Sequence, residues 1–260
     1  MNGVVDLNLI QMATAYIFIL ILLLIVKQRN ISREKIIILS TFRMTVQLML
    51  VGYILGYIFE NNHPIYTLII IAVMEVFAIN NVFKRTKREI PKELKKIIAI
   101  ALFVGTVFTI FFFLLIVVRI KPWYDARYFV PIAGMLVGNA MTGISLGVNN
   151  LLEGMHANKA KIESSLMLGA TPRDAAKEIV DNAFDSAILP TINSMMGMGI
   201  VFLPGMMTGQ ILSGISPITA IEYQIAIMLG IAGAVSLSTI IFVSYGSKTF
   251  FNSEDQLVNF

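Results

Sequence analysis

Few side chains in this sequence could do chemistry inside its long apolar runs. Arg43 and Glu75 are ionisable residues set within two of them, and Gln47 stands one helical turn beyond Arg43. Two readings are open. Arg43 and Glu75 form a structural ion pair, or Glu75 offers a carboxylate oxygen to a passing metal ion, with Arg43 as its resting partner. Asn139, Asn149, Asn150 and Asn193 add amides, which bridge helices or line a polar pathway. Met195, Met196, Met198, Met206 and Met207 crowd around Gly205. Thioethers are soft ligands, and they are also adaptable packing groups. The chain has no cysteine, which excludes disulfides, thiolate metal sites and cysteine nucleophiles. His63 and His156 fall in different loops, so no histidine metal pair is expected, and no soluble-enzyme constellation is visible.

The elements that must position these groups follow from composition. Of 260 residues, 57% are hydrophobic and 14% charged, with a mean hydropathy of +0.78. Soluble domains are about half apolar and a quarter charged, so the chain belongs in a lipid bilayer. The first apolar run follows Asp6 without a preceding basic residue and is too long for a cleaved signal peptide. A net charge of +4 does not indicate nucleic acid, because most basic residues fall in short loops between apolar runs.

About 20 apolar residues cross a hydrocarbon core. Seven stretches qualify: Leu7–Val26, Ile37–Phe59, Pro64–Phe83, Ile97–Ile120, Tyr128–Leu152, Ile188–Leu212 and Pro217–Val243. The expected fold is an all-α polytopic membrane bundle of about seven spans forming one permease domain over residues 1–260. Sixteen of the twenty Lys and Arg residues fall on one side of this arrangement. That excess predicts the N-terminus outside and the C-terminus in the cytoplasm, with Trp123 and Tyr124 at the outer interface. Arg43 and Glu75 then lie about 12–13 Å in from the same surface at helical rise. Pro204 and Gly205 interrupt the sixth stretch and are candidate gate residues. The glycine pairs Gly52/Gly56, Gly134/Gly138, Gly143/Gly147 and Gly205/Gly209 read as close helix contacts, within one bundle or between two copies.

The longest polar loop, about 156–187, carries the stretch KIESSLMLGATPRDAAKEI. Gly169 suits the end of one helix, Thr171 the cap of the next, Pro172 its first position and Asp174 its first turn. Ala175, Ala176, Ile179, Val180, Ala183 and Phe184 then fall on one face and the charged residues on the other. Two short amphipathic helices meeting at a tight corner are predicted. They form a segment lying on the membrane surface, or a docking element for a cytoplasmic partner.

The spacing Glu163-Ser-Ser-x-x-x-Gly169, with Ile188-Leu189-Pro190 further on, resembles the Glu-Ala-Ala-x-x-x-Gly loop motif of ABC-importer permeases, with serines for alanines and a longer gap. A fuller match covers most of the chain. Pro131–Met155, the run LMLGATPRDA and Leu189–Met228 resemble the FetB-type permeases, a group of bacterial iron-export permeases and plant aluminium-sensitivity proteins. Arg43, Gln47 and Glu75 also fit that pattern.

The resemblance implies an integral protein of the bacterial cytoplasmic membrane: the permease subunit of an ATP-driven exporter of a metal such as iron. It implies a homodimer served by a separate ABC ATPase subunit. ATP and Mg would sit on that partner, because this chain has no phosphate-binding loop and is expected to bind no cofactor of its own. Glu163, Gly169, Ala170, Thr171 and Pro172 would be its coupling residues. Alternatives are a permease for a nucleotide sugar or other cargo, an ATPase-independent secondary transporter using Glu75, and a membrane scaffold.

Overall fold

The computed structural model describes residues 6–61 and 63–258, which form helices, loops and two isolated β-bridges. The α-helices are α1 (Leu9–Ala15), α2 (Ile17–Gln28), α3 (Glu34–Glu60), α4 (Pro64–Arg85), α5 (Lys92–Phe112), α6 (Ala126–Ala157), α7 (Lys159–Met167), α8 (Pro172–Gly197), α9 (Gly205–Leu212) and α10 (Pro217–Gly246); a π-helical turn (Phe113–Val117) extends α5 and a 3-10 turn (Ser247–Phe250) extends α10. Among the described residues, six stretches are long and apolar enough to cross a membrane: Leu9–Gln28, Glu34–Glu60, Pro64–Arg85, Lys92–Val117, Ala126–Ala157 and Pro217–Phe250.

The expected span Ile188–Leu212 is not a continuous helix, which corrects the count of seven. Its first part is the end of α8 and its last part is α9, with an irregular segment at 198–204 between them. The backbone explains the break. Gly199 adopts φ +83°, and its amide donates to the Phe202 carbonyl at 3.0 Å, closing a local loop in place of the helical ladder. Pro204, which lacks an amide hydrogen, precedes α9, and its carbonyl accepts from Thr208 N at 3.0 Å.

The second correction concerns the loop 156–187. Its second helix is not short: α8 runs unbroken from Pro172 to Gly197. Pro190 lies inside it. The apolar face begun by Ala176, Ile179 and Ala183 continues through Ala187 and Thr191, all buried, and packing along that face outweighs the one hydrogen bond the proline removes.

The chain divides into two compact units. One comprises α1–α3 with Leu212–Ile215. Asn8 and Gln11 form a reciprocal capping box at the start of α1, and the Tyr16 hydroxyl lies 2.6 Å from Thr45 Oγ1. The apolar side chains of α3 are exposed along its length, as a helix in contact with lipid requires. The other unit, His63–Ile211 with the chain from Ser216 onward, is a bundle around α6. This helix packs against α4, α5, α8 and α10, and its buried side includes Phe129, Ile132, Leu136, Ile144 and Leu151.

Glycine sets the closest approaches. A Cβ on Gly143 would lie 2.9 Å from the Ala187 carbonyl, and one on Gly147 3.2 Å from that of Ala183. The Gly143/Gly147 pair therefore serves packing of α6 on α8 within the bundle. Gly105, outside the predicted pairs, is tighter still: a Cβ there would lie 2.7 Å from backbone atoms of Ser238 on α10. Gly52 and Gly56 face open space. Gly105→Val should therefore lower stability by at least the roughly 1–3 kcal/mol of core overpacking, read as a fall in the unfolding midpoint in detergent. Gly56→Val should leave that midpoint unchanged.

Candidate functional site

The corner between α7 and α8 is built from backbone hydrogen bonds. Gly169 has φ +88°, its amide donates to the Leu166 carbonyl at 3.0 Å, and the Ala170 amide donates to that of Ser165 at 3.0 Å. This pair of bonds is a Schellman stop. Two residues later Thr171 is the cap of α8. Its Oγ1 accepts from Asp174 N at 3.2 Å, and its hydroxyl donates to the Asp174 carboxylate at 2.6 Å. Pro172 occupies the first turn. One helix is thus stopped and the next started within three residues.

The knob is braced from below and across. Ile162 of α7 is fully buried in the bundle core, and Leu166 packs against that core. Lys161 Nζ lies 2.7 Å from Glu178 Oε2, joining α7 to α8. The Lys161 ammonium, by hydrogen bond and charge, holds the Glu178 carboxyl below the ordinary carboxylate range. The pair is therefore complete above that range and is lost as pH falls through the lowered value. Glu163 lies 3.8 Å from Lys159 on the same helix. At the tip, Met167 is 85% and Leu168 89% exposed. Sequence reasoning placed the corner but passed over these two residues, although an apolar pair beside a helix-stopping glycine in a polar loop is a visible signal.

Beyond the knob, α6 and α8 run antiparallel and share a polar edge. Asn139, Thr142, Asn150 and Glu153 are exposed on α6 at spacings of three, eight and three, which is a single helical face. On α8, Asn182, Ser186, Leu189 and Asn193 form the matching stripe, and Asn150 Nδ2 donates to Ser186 Oγ at 2.6 Å across the seam. Asn139 also donates back to the Met135 carbonyl at 2.7 Å. Asn149 points elsewhere. Its Oδ1 accepts from Lys87 N at 3.0 Å and its amide donates to Ser145 O at 2.7 Å, so it pins the α4–α5 turn. Three of the four predicted amides share the seam. Thr142, Ser186 and Glu153 were missed, though reading the polar positions of α6 and of α8 at helical spacing would have found them.

Glu75 is 2% exposed in the bundle interior. Its Oε1 accepts from Thr106 Oγ1 of α5 at 2.5 Å, while Oε2 has no hydrogen-bond partner. A buried carboxylate held by one hydroxyl is expensive as an anion, and it can relieve that cost by taking a proton or holding a cation. Arg43 and Gln47 lie on exposed positions of α3, in the other unit. Among the described residues no three His, Cys, Asp or Glu side chains gather as a metal site. The methionines spread over α8, the break and α9, from Met196 at 75% exposure to Met207 at 6%.

Comparison with known proteins finds relatives in sequence over nearly the whole length of the chain. The model of the uncharacterised protein family UPF0014 matches residues 9–251. The UPF0014 membrane protein YjkA of Bacillus subtilis is 34% identical over 248 residues, 95% of this chain and 97% of that protein. The probable iron export permease protein FetB of Escherichia coli is 34% identical over 248 residues, 95% and 94% of the two chains. Protein ALUMINUM SENSITIVE 3 of Arabidopsis thaliana is 32% identical over 250 residues, 96% and 90%. No solved structure matches the chain. With several helices long and apolar enough to cross a membrane, a family model matching residues 9–251 and nearly full-length identity above 30% to these relatives, the chain belongs to the UPF0014 family.

Proposed function

We propose that this chain is the membrane subunit of an ATP-driven exporter of metal ions, iron foremost, and that it works as a homodimer with a separate ABC ATPase docked on the α7–α8 corner. The observation that carries this reading is the corner itself: a polar knob, locked by a Schellman stop and a threonine cap, that presents Met167 and Leu168 to solvent. An exposed apolar tip on a braced support fits a partner's pocket better than it fits water. The cargo is taken from the printed name of the Escherichia coli relative, probable iron export permease.

Transport follows from continuity. Force applied at Thr171 travels along α8, about 39 Å at helical rise, to the break at 198–204. Pro204 and Gly205 act there as a gate, where irregular backbone beside a pathway is tolerated. The polar seam of α6 and α8 cannot face hydrocarbon without leaving amides unsatisfied. A second copy facing the seam completes a hydrated pathway, with Asn139, Thr142, Asn150 and Asn193 along it and Glu153 toward the elbow end. The charge distribution supports an N-terminus outside and the elbow in the cytoplasm. Glu75 supports a second reading, a gradient-driven carrier, because its buried, singly bonded carboxyl could exchange a proton for cargo.

Three measurements test the proposal. Gly169→Val, which forces a branched side chain into the left-handed region, and Met167→Asp with Leu168→Asp should each cut ATPase capture by the purified permease about tenfold or more without loss of membrane insertion. Undiminished capture would remove the corner from the interface. The chain has no native cysteine, so single cysteines at Asn139 and Thr142 should cross-link two copies, whereas one at Tyr53 of α3 should not; cross-linking at Tyr53 alone would move the dimer contact. In proteoliposomes, Glu75→Gln should reduce metal flux at least tenfold while ATPase capture stays intact, and flux without any ATPase would favour the gradient-driven carrier.

A further inference from the structure

The turn between α4 and α5 holds the densest cluster of positive charge in the chain. Lys84, Arg85, Lys87, Arg88, Lys92, Lys95 and Lys96 lie within 13 residues, interrupted only by Glu89 and Glu93 among acidic residues. All seven are exposed. Glu93 is bound to Lys96 at 2.9 Å, which leaves most of the positive field directed outward. Seven like charges in so short a segment repel one another, and a loop that served orientation alone could spread them over a mobile chain.

This loop is instead held in one shape. Ile90 and Leu94 are buried in the bundle. The Lys87 amide donates to Asn149 Oδ1 at 3.0 Å, and Asn149 is tied to α6 through the Ser145 carbonyl. The Lys95 ammonium lies 6.0 Å from the centre of the Phe83 ring. The fixed turn and α6 together form an open-mouthed cavity of about 370 Å³ lined by Lys87, Arg88, Asn149, Leu152 and Glu153. That volume lies within the range of small-ligand sites. Its makeup is amphipathic: two basic residues, an amide, an apolar wall from Leu152, and Glu153 as its one acidic residue. The site stands at the turn where the apolar helix α4 ends and α5 begins, against α6.

We propose that this cavity binds the phosphate headgroup of an anionic phospholipid, with Lys87 and Arg88 as its charged contacts and Leu152 beside the start of an acyl chain. A fixed basic pocket at the end of membrane helices is the arrangement that selects acidic headgroups. Asn149 belongs to this site as its positioning residue, since it sets the backbone of Lys87. The proposal is independent of the cargo and of the ATPase.

The test uses the full-length permease, purified and examined by native mass spectrometry after exchange into nanodiscs of mixed phosphatidylglycerol and phosphatidylcholine. The wild-type chain should retain phosphatidylglycerol selectively, and millimolar inorganic phosphate should not displace it; displacement by phosphate would assign the pocket to a free anion and overturn the lipid reading. Lys87→Gln with Arg88→Gln should weaken phosphatidylglycerol retention about tenfold. The control pair Lys27→Gln with Arg29→Gln, in another basic loop, should leave it unchanged. Equal loss in both double variants would show general surface attraction and overturn the site. Normal lipid retention with lost ATPase capture in the Lys87/Arg88 variant would reassign these residues to a protein partner.

Discussion

The close seating of α6 on α8 is the contact from which the rest of the bundle follows. Gly143 and Gly147 bring the α6 backbone within van der Waals reach of the Ala187 and Ala183 carbonyls, a separation that a larger residue, at Gly143 above all, would force apart. Because those glycines face α8, the next stripe around α6 is fixed at its edge, and there Asn139, Thr142 and Asn150 emerge together. The Asn150–Ser186 bond then holds the two helices in register. Packing and pathway are therefore neighbouring faces of one helix, set by its periodicity.

The same seating joins the elbow to the bundle. Ile179 and Ala183, on the part of α8 nearest the corner, are buried in the same core as Ile144 and Leu151 of α6. The corner at Gly169 to Thr171 is thus the exposed end of an element whose first and middle turns, from Ala176 to Thr191, bury one face against the bundle. A flexible tether at this place would dissipate a push from outside, whereas a capped and buried helix passes it on.

Legibility in the sequence divided along physical lines. The corner was readable because its determinants are local: a left-handed glycine, a threonine cap and a first-turn proline act within a few residues. The passage of α8 through Pro190 was not, since a proline reads as a boundary unless tertiary packing overrides it, and that packing comes from helices distant in sequence. The sixth stretch failed for the opposite reason. Its hydropathy is continuous from Ile188 to Leu212, but hydropathy is blind to the left-handed Gly199 and the Gly197 to Phe202 loop that interrupt it. Asn149 and Asn150 show the limit most plainly. One step of about 100° around a helix separates a residue that pins a turn from one that lines the seam. Likewise Glu75 was visible as a buried carboxyl, but its Thr106 partner, 31 positions away, required the fold.

Pro190 has one further consequence. With no amide hydrogen at that position, the carbonyl four residues earlier, on Ser186, is without its usual helical donor, while the Ser186 hydroxyl is engaged by Asn150. The elastic weak point of α8 therefore coincides with its cross-link to α6. Bending is concentrated at one articulation, so a small swing on one side can become a change of tilt on the other without melting either segment.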